Sequence, residues 1–194
     1  MLEKIYQIIR KNPIDKTALT NLLPILKELD EFEFYHPVHP YPVLEHSIKA
    51  AQKLDDDFLR LVLIFHDVGK LKTSVKVPHY TKPNAFVMKS PNHEIESAKI
   101  VEELFKKEMD LDSLKILLAL IKYHDTPLIN EDDDTIMQQL IKEYGLNFVS
   151  NLLKIQRADM STHSKEYYEQ KMKPKLDYAE NIFKKNIQVN SKHK

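Results

Sequence analysis

The amino-acid sequence predicts an all-α protein. Only 2 of its 194 residues are glycine, and runs that alternate apolar and polar residues, as strands do, are hard to find. Apolar residues instead recur at spacings of three and four, which is the periodicity of amphipathic helices. We therefore expect a helical bundle. One short hairpin is possible within the segment 70–90, where "TSVKV" can pair with "AFVMK".

Length and composition favour one domain spanning 1–194. We expect its core at about 35–165, with a C-terminal helix, 165–187, packed on it. Lysine plus arginine and aspartate plus glutamate each number 29, so the net charge is zero. A neutral chain is not built mainly to coat nucleic acid or an anionic membrane, and we expect no DNA partner. Because cysteine is absent, disulfides, thiolate nucleophiles and cysteine zinc sites are excluded.

The apolar runs of the chain are short. The longest, "LVLIF" (61–65) and "ILLALI" (116–121), fall far below the roughly 18 residues that a membrane helix needs. The first residues, "MLEKIYQIIRK", contain no apolar signal core. We therefore predict no membrane association and a cytoplasmic location, while the sequence leaves the oligomeric state open.

The first helices can be placed by their periodicity and their ends. "IDKTALTNLLPILKEL" reads as a helix that Pro24 bends or breaks. The segment 35–43, "YHPVHPYPV", is predicted to be an extended connector because it holds three prolines. A helix then begins near Val43. The next, "DDDFLRLVLIFHD", is predicted to be buried, with Asp56 or Asp57 as its N-cap and Gly69 as its C-terminal stop.

The second half of the chain also reads as helices. Ser90 and Pro91 are typical of an N-cap followed by a first helical residue, here before "NHEIESAKIVEELFKK". Asp112 starts a helix that Pro127 ends. The acidic run 131–134 is expected to cap "DTIMQQLIKEYG". The remaining helices are "NFVSNLLKIQRADMS" and a tail, "KEYYEQKMKPKLDYAENIFKKN", which is interrupted near Pro174.

Metal-ligating residue types recur within five of these helices. A lone histidine on an apolar helix face is ordinarily a hydrogen-bonded core residue, but six such groups favour a shared site. A buried carboxylate is also costly unless it is paired or binds a cation. Imidazoles and carboxylates without thiolates suit Fe, Mn, Co or Ni, and also Zn or Mg, rather than a closed structural zinc site. The six residues are His46, His66, Asp67, His93, His124 and Asp159.

The ordered series resembles the HD-domain metal-dependent phosphohydrolases. It is most similar to the helical HD domain associated with bacterial tRNA nucleotidyltransferases. The motifs that carry the resemblance are "HPYPVLEHS" (39–47), "HDVGK" (66–70), "HEIESA" (93–98) and "RAD" (157–159), so it spans about 35–165. The glycine-serine motif and paired aspartates of a nucleotidyltransferase head have no counterpart in residues 1–45. We therefore expect a stand-alone hydrolase without CTP- or ATP-dependent tail addition.

The resemblance implies a role for each matching residue. His46, His66, Asp67 and Asp159 would bind one divalent metal ion. His93 and His124 match the positions that bind a second ion in dinuclear members, and Asp67 would then bridge the two. Asp67 and Lys70 would be catalytic, with Lys70, His39 and Tyr41 contacting substrate. From its position within a turn of Asp159, Arg157 is a further candidate for a phosphate contact, although an ordinary salt bridge explains it equally well.

Two departures from the family pattern concern the substrate side. The branch often has proline after the lysine, where this chain has Leu71. It also often has phenylalanine three residues before the third histidine, whereas Phe86 lies seven residues before His93. The predicted loop that faces the substrate therefore differs from that of the branch.

The implied function is metal-dependent hydrolysis of a phosphomonoester or phosphodiester. The substrate would be a small nucleotide or the end of an RNA, attacked by metal-activated water. The alternative is a non-catalytic, metal-stabilised helical module that binds tRNA or a protein partner. Asp67 and Lys70 favour catalysis, because a scaffold needs neither a bridging carboxylate nor a phosphate-binding lysine. A plain helical bundle without metal is the remaining reading.

Overall fold

The computed structural model describes residues 1–130 and 133–191 and confirms the all-α prediction. The helices are α1 (Leu2–Ile9), α2 (Lys16–Leu22), α3 (Pro24–Glu31), α4 (Val43–Ala51), α5 (Asp57–Phe65), α6 (Lys70–Thr73), α7 (His93–Phe105), α8 (Leu111–Tyr123), α9 (Thr135–Tyr144), α10 (Leu146–Met160), α11 (Lys165–Tyr167) and α12 (Lys173–Ser191), with a π-helix at Tyr168–Met172 before α12. The predicted hairpin is also present. Strands β1 (Val75–Pro78) and β2 (Phe86–Lys89) pair antiparallel.

Helix α5 lies at the centre of the bundle. It packs against α1, α4, α8 and α10, and every residue from Leu59 to Phe65 is buried. The predicted N-cap is confirmed, because the Asp56 side chain accepts a hydrogen bond from Leu59 N at 2.9 Å. A helix held on all sides fixes the residues that follow it, and these are His66 and Asp67.

Pro24 separates two helices, as predicted. Helix α2 ends at Leu22 and α3 begins at Pro24. Proline lacks the N–H that a helix interior needs but is tolerated in the first turn. Helix α3 then packs against α4, and in the connector between them the His39 ring centre lies 5.5 Å from that of His46.

The predicted role of Gly69 as a helix stop is wrong. Helix α5 ends at Phe65, and Gly69 has a right-handed helical conformation, φ −65°, that any residue adopts. The glycine is needed for space, because a Cβ atom there would lie 2.2 Å from the His93 carbonyl oxygen and 2.6 Å from Ser97 N. Gly69 N also donates a hydrogen bond to Ser97 Oγ at 2.8 Å. The start of α6 is thereby locked against α7.

The predicted start of α7 is also wrong. The helix begins at His93 rather than Pro91, and its N-cap is Asn92 in the left-handed region at φ 56°. Asparagine tolerates this conformation better than most residues because its short polar side chain can hydrogen-bond locally. The turn at Asn92 places His93 at the first position of α7. Helix α8 likewise begins one residue earlier than predicted, with Asp110 capping Ser113 N.

The C-terminal part packs on α10. Helices α9 and α12 both contact α10, and the predicted interruption near Pro174 is the π-helix at Tyr168–Met172. In the acidic run, Asp133 accepts a hydrogen bond from Thr135 N at 2.9 Å, while Glu131 and Asp132 lie outside the described residues. Across the described ranges, no helix is both long enough and apolar enough to cross a membrane.

Candidate metal centre

The six predicted ligands converge at one end of the bundle. They come from α4, the end of α5, the start of α7, the end of α8 and the end of α10. All are buried, and even the most accessible, His93, is only 7% exposed. Their side-chain atoms form overlapping groups of three, each within 4.8 Å: His46, His66 and Asp67; His66, His124 and Asp159; and Asp67, His93 and His124. The structure therefore brings together the whole predicted set.

Asp67 lies between two groups of histidines. Its Oδ2 atom is 3.4 Å from His66 Nε2 and 3.9 Å from His46 Nε2. Its Oδ1 atom is 3.2 Å from His93 Nε2, which in turn lies 3.4 Å from His124 Nε2. One carboxylate therefore presents a different oxygen to each histidine group, as a bridging ligand would.

Three of the histidines are fixed through Nδ1 to the carbonyl oxygen of the residue three positions earlier. His66 Nδ1 lies 2.7 Å from the Leu63 carbonyl oxygen, and His124 Nδ1 lies 2.7 Å from that of Ile121. His93 Nδ1 lies 2.9 Å from the Ser90 carbonyl. A carbonyl oxygen can only accept, so Nδ1 carries the hydrogen in each ring. That leaves Nε2 as the atom that can donate a lone pair to a metal ion.

His46 is fixed in the same sense by a side chain. Thr162 Oγ1 donates to the Asp159 carbonyl oxygen at 2.7 Å, so its hydroxyl hydrogen is already used. The same oxygen lies 2.6 Å from His46 Nδ1 and must accept from it. His46 Nε2 is therefore also directed at the cluster, 2.7 Å from Asp159 Oδ1.

Two buried atoms of the cluster lack a hydrogen-bond partner among the described residues. They are His66 Nε2 and Asp159 Oδ1, which lie 3.4 Å apart. His46 Nε2 lies 2.7 Å from the same Asp159 oxygen, but with the ring hydrogen on Nδ1 it has none to donate. An unpaired polar atom in a protein interior is costly. Both atoms are ligand types for divalent metals, so the cluster fits a cation.

The charges and burial within the cluster shift the pKa values of its members in different directions. Burial by itself raises the pKa of Asp67, but the charges of His66 and Lys70 hold it well below its usual range. Burial lowers the pKa of His66, yet Asp67 and Asp159 together raise it to about 9. Burial and the neighbouring His66 and His93 lower the pKa of His124 to about 3. In the absence of a metal ion, protons on the imidazoles balance the buried carboxylates.

Lys70 lies beside the cluster rather than in solvent. It is 6% exposed, and its Nζ atom is 2.6 Å from Asp67 Oδ2. The ammonium group also lies 5.1 Å above the centre of the Phe34 ring. Lys70 and Phe34 both line a cavity of about 400 Å³ that opens onto the metal-ligand candidates. We call this cavity the metal pocket.

The other predicted substrate contacts are distributed differently. His39 lines the metal pocket, and burial lowers its pKa to about 2, so its imidazole is neutral. Tyr41 is not among the lining residues, and its ring instead packs against Lys49 Nζ at 4.6 Å. Arg157 is directed at α12, where its Nε atom lies 2.6 Å from Glu180 Oε1. The structure therefore brings His39 to the site but neither Tyr41 nor Arg157.

Sequence reasoning missed two residues of the site. Thr162 orients His46, and His163 lines the metal pocket with its ring centre 4.3 Å from that of His39. Both residues lie beyond the end of α10 at Met160, in a turn where Thr162 N donates to the Asp159 carbonyl oxygen at 3.0 Å. Helix periodicity therefore carried no signal for either of them.

A helical bundle with buried imidazoles and carboxylates around an open pocket defines a metal-binding class of protein. Comparison with protein families makes this class specific. The model of the HD domain matches residues 38–168, which includes every residue of the cluster. The chain therefore belongs to the HD-domain family, whose members are generally metal-dependent hydrolases. Comparison with curated proteins finds no match.

Proposed function

We propose that the protein is a two-metal hydrolase that cleaves a phosphate ester of a nucleotide or of an RNA end. The observation that carries the proposal is the fixed orientation of four histidines. Each holds its Nδ1–H in a hydrogen bond. Three of the Nε2 atoms lie 2.7–3.4 Å from an oxygen of Asp67 or Asp159, and that of His124 lies 3.4 Å from His93 Nε2. This is the arrangement of metal-ligating histidines, in which the outer hydrogen bond selects the tautomer.

Each residue of the cluster then has a distinct role. His46, His66 and Asp159 would hold one divalent cation, His93 and His124 a second, and Asp67 both. A bound cation supplies an activated water and neutralises charge on the phosphoryl group. Lys70 would donate its ammonium hydrogens to a phosphate oxygen. Its burial 2.6 Å from Asp67 places that donor beside the reacting group.

The position of Lys70 favours catalysis over the non-catalytic alternative. Burying a lysine costs free energy even when it is paired, and a module that merely binds RNA or protein would gain nothing from it. A lysine that lines an open pocket next to the candidate ligands is instead placed to bind an anion. The non-catalytic reading has no comparable observation in its favour.

We also propose a relation to one group of HD domains and a cytoplasmic location. "HPYPVLEHS" and the Ser97 contact with Gly69 support a place near the HD domains associated with tRNA nucleotidyltransferases. The absence of cysteine is consistent with a cytoplasmic location. We further propose that the whole chain forms one domain, because α12 packs against α10, which carries Asp159.

The first experiment measures metal content and turnover together. Protein purified without added metal would be analysed by mass spectrometry, then reconstituted with Mn, Fe, Co, Ni, Zn or Mg. Turnover would be followed on p-nitrophenyl phosphate, bis-p-nitrophenyl phosphate, nucleoside monophosphates and 2′,3′-cyclic nucleotides. We expect bound metal and chelator-sensitive hydrolysis of at least one ester. Bound metal without hydrolysis of any substrate would instead support the non-catalytic module.

A second experiment counts the metal ions. The double variant His93→Ala, His124→Ala removes the second histidine group but leaves His46, His66 and Asp159 in place. We expect two metal ions per chain to fall to about one, with the helical content unchanged. His79→Ala is the control, since its ring lies in the hairpin loop and binds Thr81 N and Lys82 N. One ion per chain in both the parent and the double variant would overturn the two-metal assignment.

A further inference from the structure

A second cavity adjoins the metal pocket. It has a volume of about 420 Å³ and lies between the loop that follows α8, the end of α10 and the start of α12. The two cavities share three lining residues, His124, Asp125 and Met160. This second cavity therefore lies directly beside the metal pocket. We call this cavity the apolar pocket.

The lining of the apolar pocket differs from that of the metal pocket. Its walls include Leu128, Leu176 and Ala179, all buried, together with Met160 and Met172. Apolar walls of this kind suit an aromatic ring rather than a second phosphate.

A fixed amide lies in the same wall. Gln156 Nε2 donates to the Thr126 carbonyl oxygen at 2.7 Å, and Gln156 lines the pocket while being only 7% exposed. Since the amide nitrogen is engaged, the amide oxygen is the group that remains to meet a ligand. An oriented acceptor beside apolar walls can read the hydrogen-bonding edge of a heterocycle.

Asp125 stands where the two pockets meet. It follows the candidate ligand His124 directly and lines both cavities. A carboxylate accepts hydrogen bonds from vicinal hydroxyls, as acidic residues do with ribose in nucleotide sites. The order along the combined cavity is therefore a cation and ammonium for phosphate, a carboxylate for hydroxyls, and an apolar amide-lined pocket for a ring.

We propose that the apolar pocket binds the base of a nucleoside phosphate, with the sugar hydroxyls on Asp125 and the phosphate at the metal pocket. The proposal rests on the proposed function only for the position of the phosphate. It adds a place in the fold for the base and for the sugar of such a substrate, whether it is free or the terminal nucleotide of an RNA.

The methionines provide a direct test on metal-free protein. Met88 lines only the metal pocket, Met160 lines both and Met172 lines only the apolar pocket, while Met137 lies in the core. In protein labelled with 13C at the methionine methyls, we expect nucleosides and nucleoside monophosphates to shift the Met160 and Met172 signals. Ribose 5-phosphate should leave Met172 unmoved, and Met137 should not respond to any of them.

The spectra also distinguish a free nucleotide from an RNA end as the ligand, and they test the base site independently of the proposed hydrolysis. Equal affinity of a trinucleotide and a mononucleotide at Met172 would identify an RNA end as an accepted source, whereas binding of the mononucleotide alone would identify a free nucleotide. Either supports the base site, even if no ester is hydrolysed. Nucleotides that shift Met88 and leave Met172 unmoved would overturn the site, even if hydrolysis is observed.

A variant that fills the apolar pocket tests the base site by steady-state kinetics. Met172→Trp places a larger side chain in the apolar pocket, and Lys171→Trp, at an exposed neighbour outside the lining, is its matched control. We expect Met172→Trp to raise KM for nucleoside monophosphates by about tenfold or more, in line with the value of base contacts. KM for ribose 5-phosphate, which has no aromatic ring to enter the apolar pocket, should change less than about twofold. Equal effects on both substrates, or none on the nucleotide, would overturn the proposal.

Discussion

Lys70 and Arg157 are two basic residues near candidate ligand carboxylates, yet the fold directs them to opposite tasks. Lys70 follows Asp67 by three positions, and its ammonium lies 2.6 Å from that carboxylate inside the metal pocket. Arg157 precedes Asp159 by two positions, and its guanidinium lies 2.6 Å from both Glu180 and Asp177. Lys70 therefore faces the metal pocket, whereas Arg157 forms ion pairs with α12.

The difference follows from local backbone geometry. Asp67 and Lys70 flank the turn between α5 and α6, in which Lys70 N donates to the Asp67 carbonyl oxygen at 3.0 Å. Arg157 and Asp159 lie within α10, where each residue turns by about 100° and positions two apart lie on nearly opposite sides. Asp159 points into the cluster, and Arg157 must therefore point away from it. Proximity in sequence alone does not bring a basic side chain to a carboxylate, and the spacing decides the matter.

The two cations also differ in energetic terms. Lys70 is 6% exposed and pairs with a fully buried carboxylate, so removing either partner leaves an uncompensated buried charge. The Arg157 side chain is 29% exposed, and that of its partner Asp177 is 51% exposed. Water screens such pairs and reduces their contribution. Substitutions at the two positions should therefore separate function from stability.

The largest effect is expected for Asp67→Ala. Both histidine groups lose their shared carboxylate, so we expect metal binding and turnover to disappear together, with turnover falling by about a thousandfold or more. Asp67→Asn keeps the shape of the side chain and distinguishes this loss from misfolding. Asp177→Ala, which removes a carboxylate on the Arg157 side, is the control. Full turnover in Asp67→Asn would defeat the assignment of Asp67.

Lys70→Ala should have the next largest effect. The variant loses the donor for the phosphate oxygen but no candidate ligand, so we expect turnover to fall by about a hundredfold while the metal content is unchanged. Lys72→Ala is the matched control, because Lys72 is exposed and pairs with Glu96 at 2.9 Å. Loss of metal from Lys70→Ala, or unchanged turnover, would contradict the role proposed for Lys70.

The pH dependence of metal binding tests the effect of the two buried carboxylates on the neighbouring histidines. Asp67 and Asp159 raise the pKa of His66 to about 9 in the metal-free protein, so this imidazole is protonated at pH 7. A cation must displace that proton, and the apparent affinity should rise with pH by about tenfold per unit below pH 9. His124, whose pKa is lowered to about 3, releases none. Calorimetry in buffers of different ionisation enthalpy would count the protons released on metal binding. Net uptake of protons at pH 7, or no release at all, would contradict this prediction.

Much of the fold was predictable because its signals are local. Helix periodicity and the Pro24 break appear within single helices, as does the Asp56 cap. Gly69 was misread because its reason lies elsewhere in the chain: only the close approach of α7 shows that a Cβ atom would strike the His93 carbonyl. The start of α7 was misplaced because Ser90 and Pro91 match the local pattern of a helix start, whereas the left-handed turn at Asn92 delays the helix to His93.

The candidate site was predictable as a set but not as a geometry. Residue type and order singled out six ligands, and the fold places all six together. The family resemblance implied that Asp67 serves both histidine groups, but no sequence pattern gave the distances of its two oxygens from them. Nor did any pattern indicate that the turn after α8 forms a second cavity with α12. Such features depend on how helices distant in sequence cross, which periodicity within one helix does not report.

The smallest effect is expected for Arg157→Gln, and it completes the comparison with Lys70. The variant removes two partly exposed ion pairs to α12, for which we expect about 1 kcal/mol of lost stability. In a chain of this length, that corresponds to a fall of about 2–4 °C in Tm. We expect kcat/KM to stay within about twofold, because the guanidinium lies outside the metal pocket. Thermal unfolding and steady-state kinetics on one preparation would measure both. A hundredfold loss of kcat/KM at unchanged Tm would instead place Arg157 at the phosphate, and would mean that α12 moves to release it during turnover.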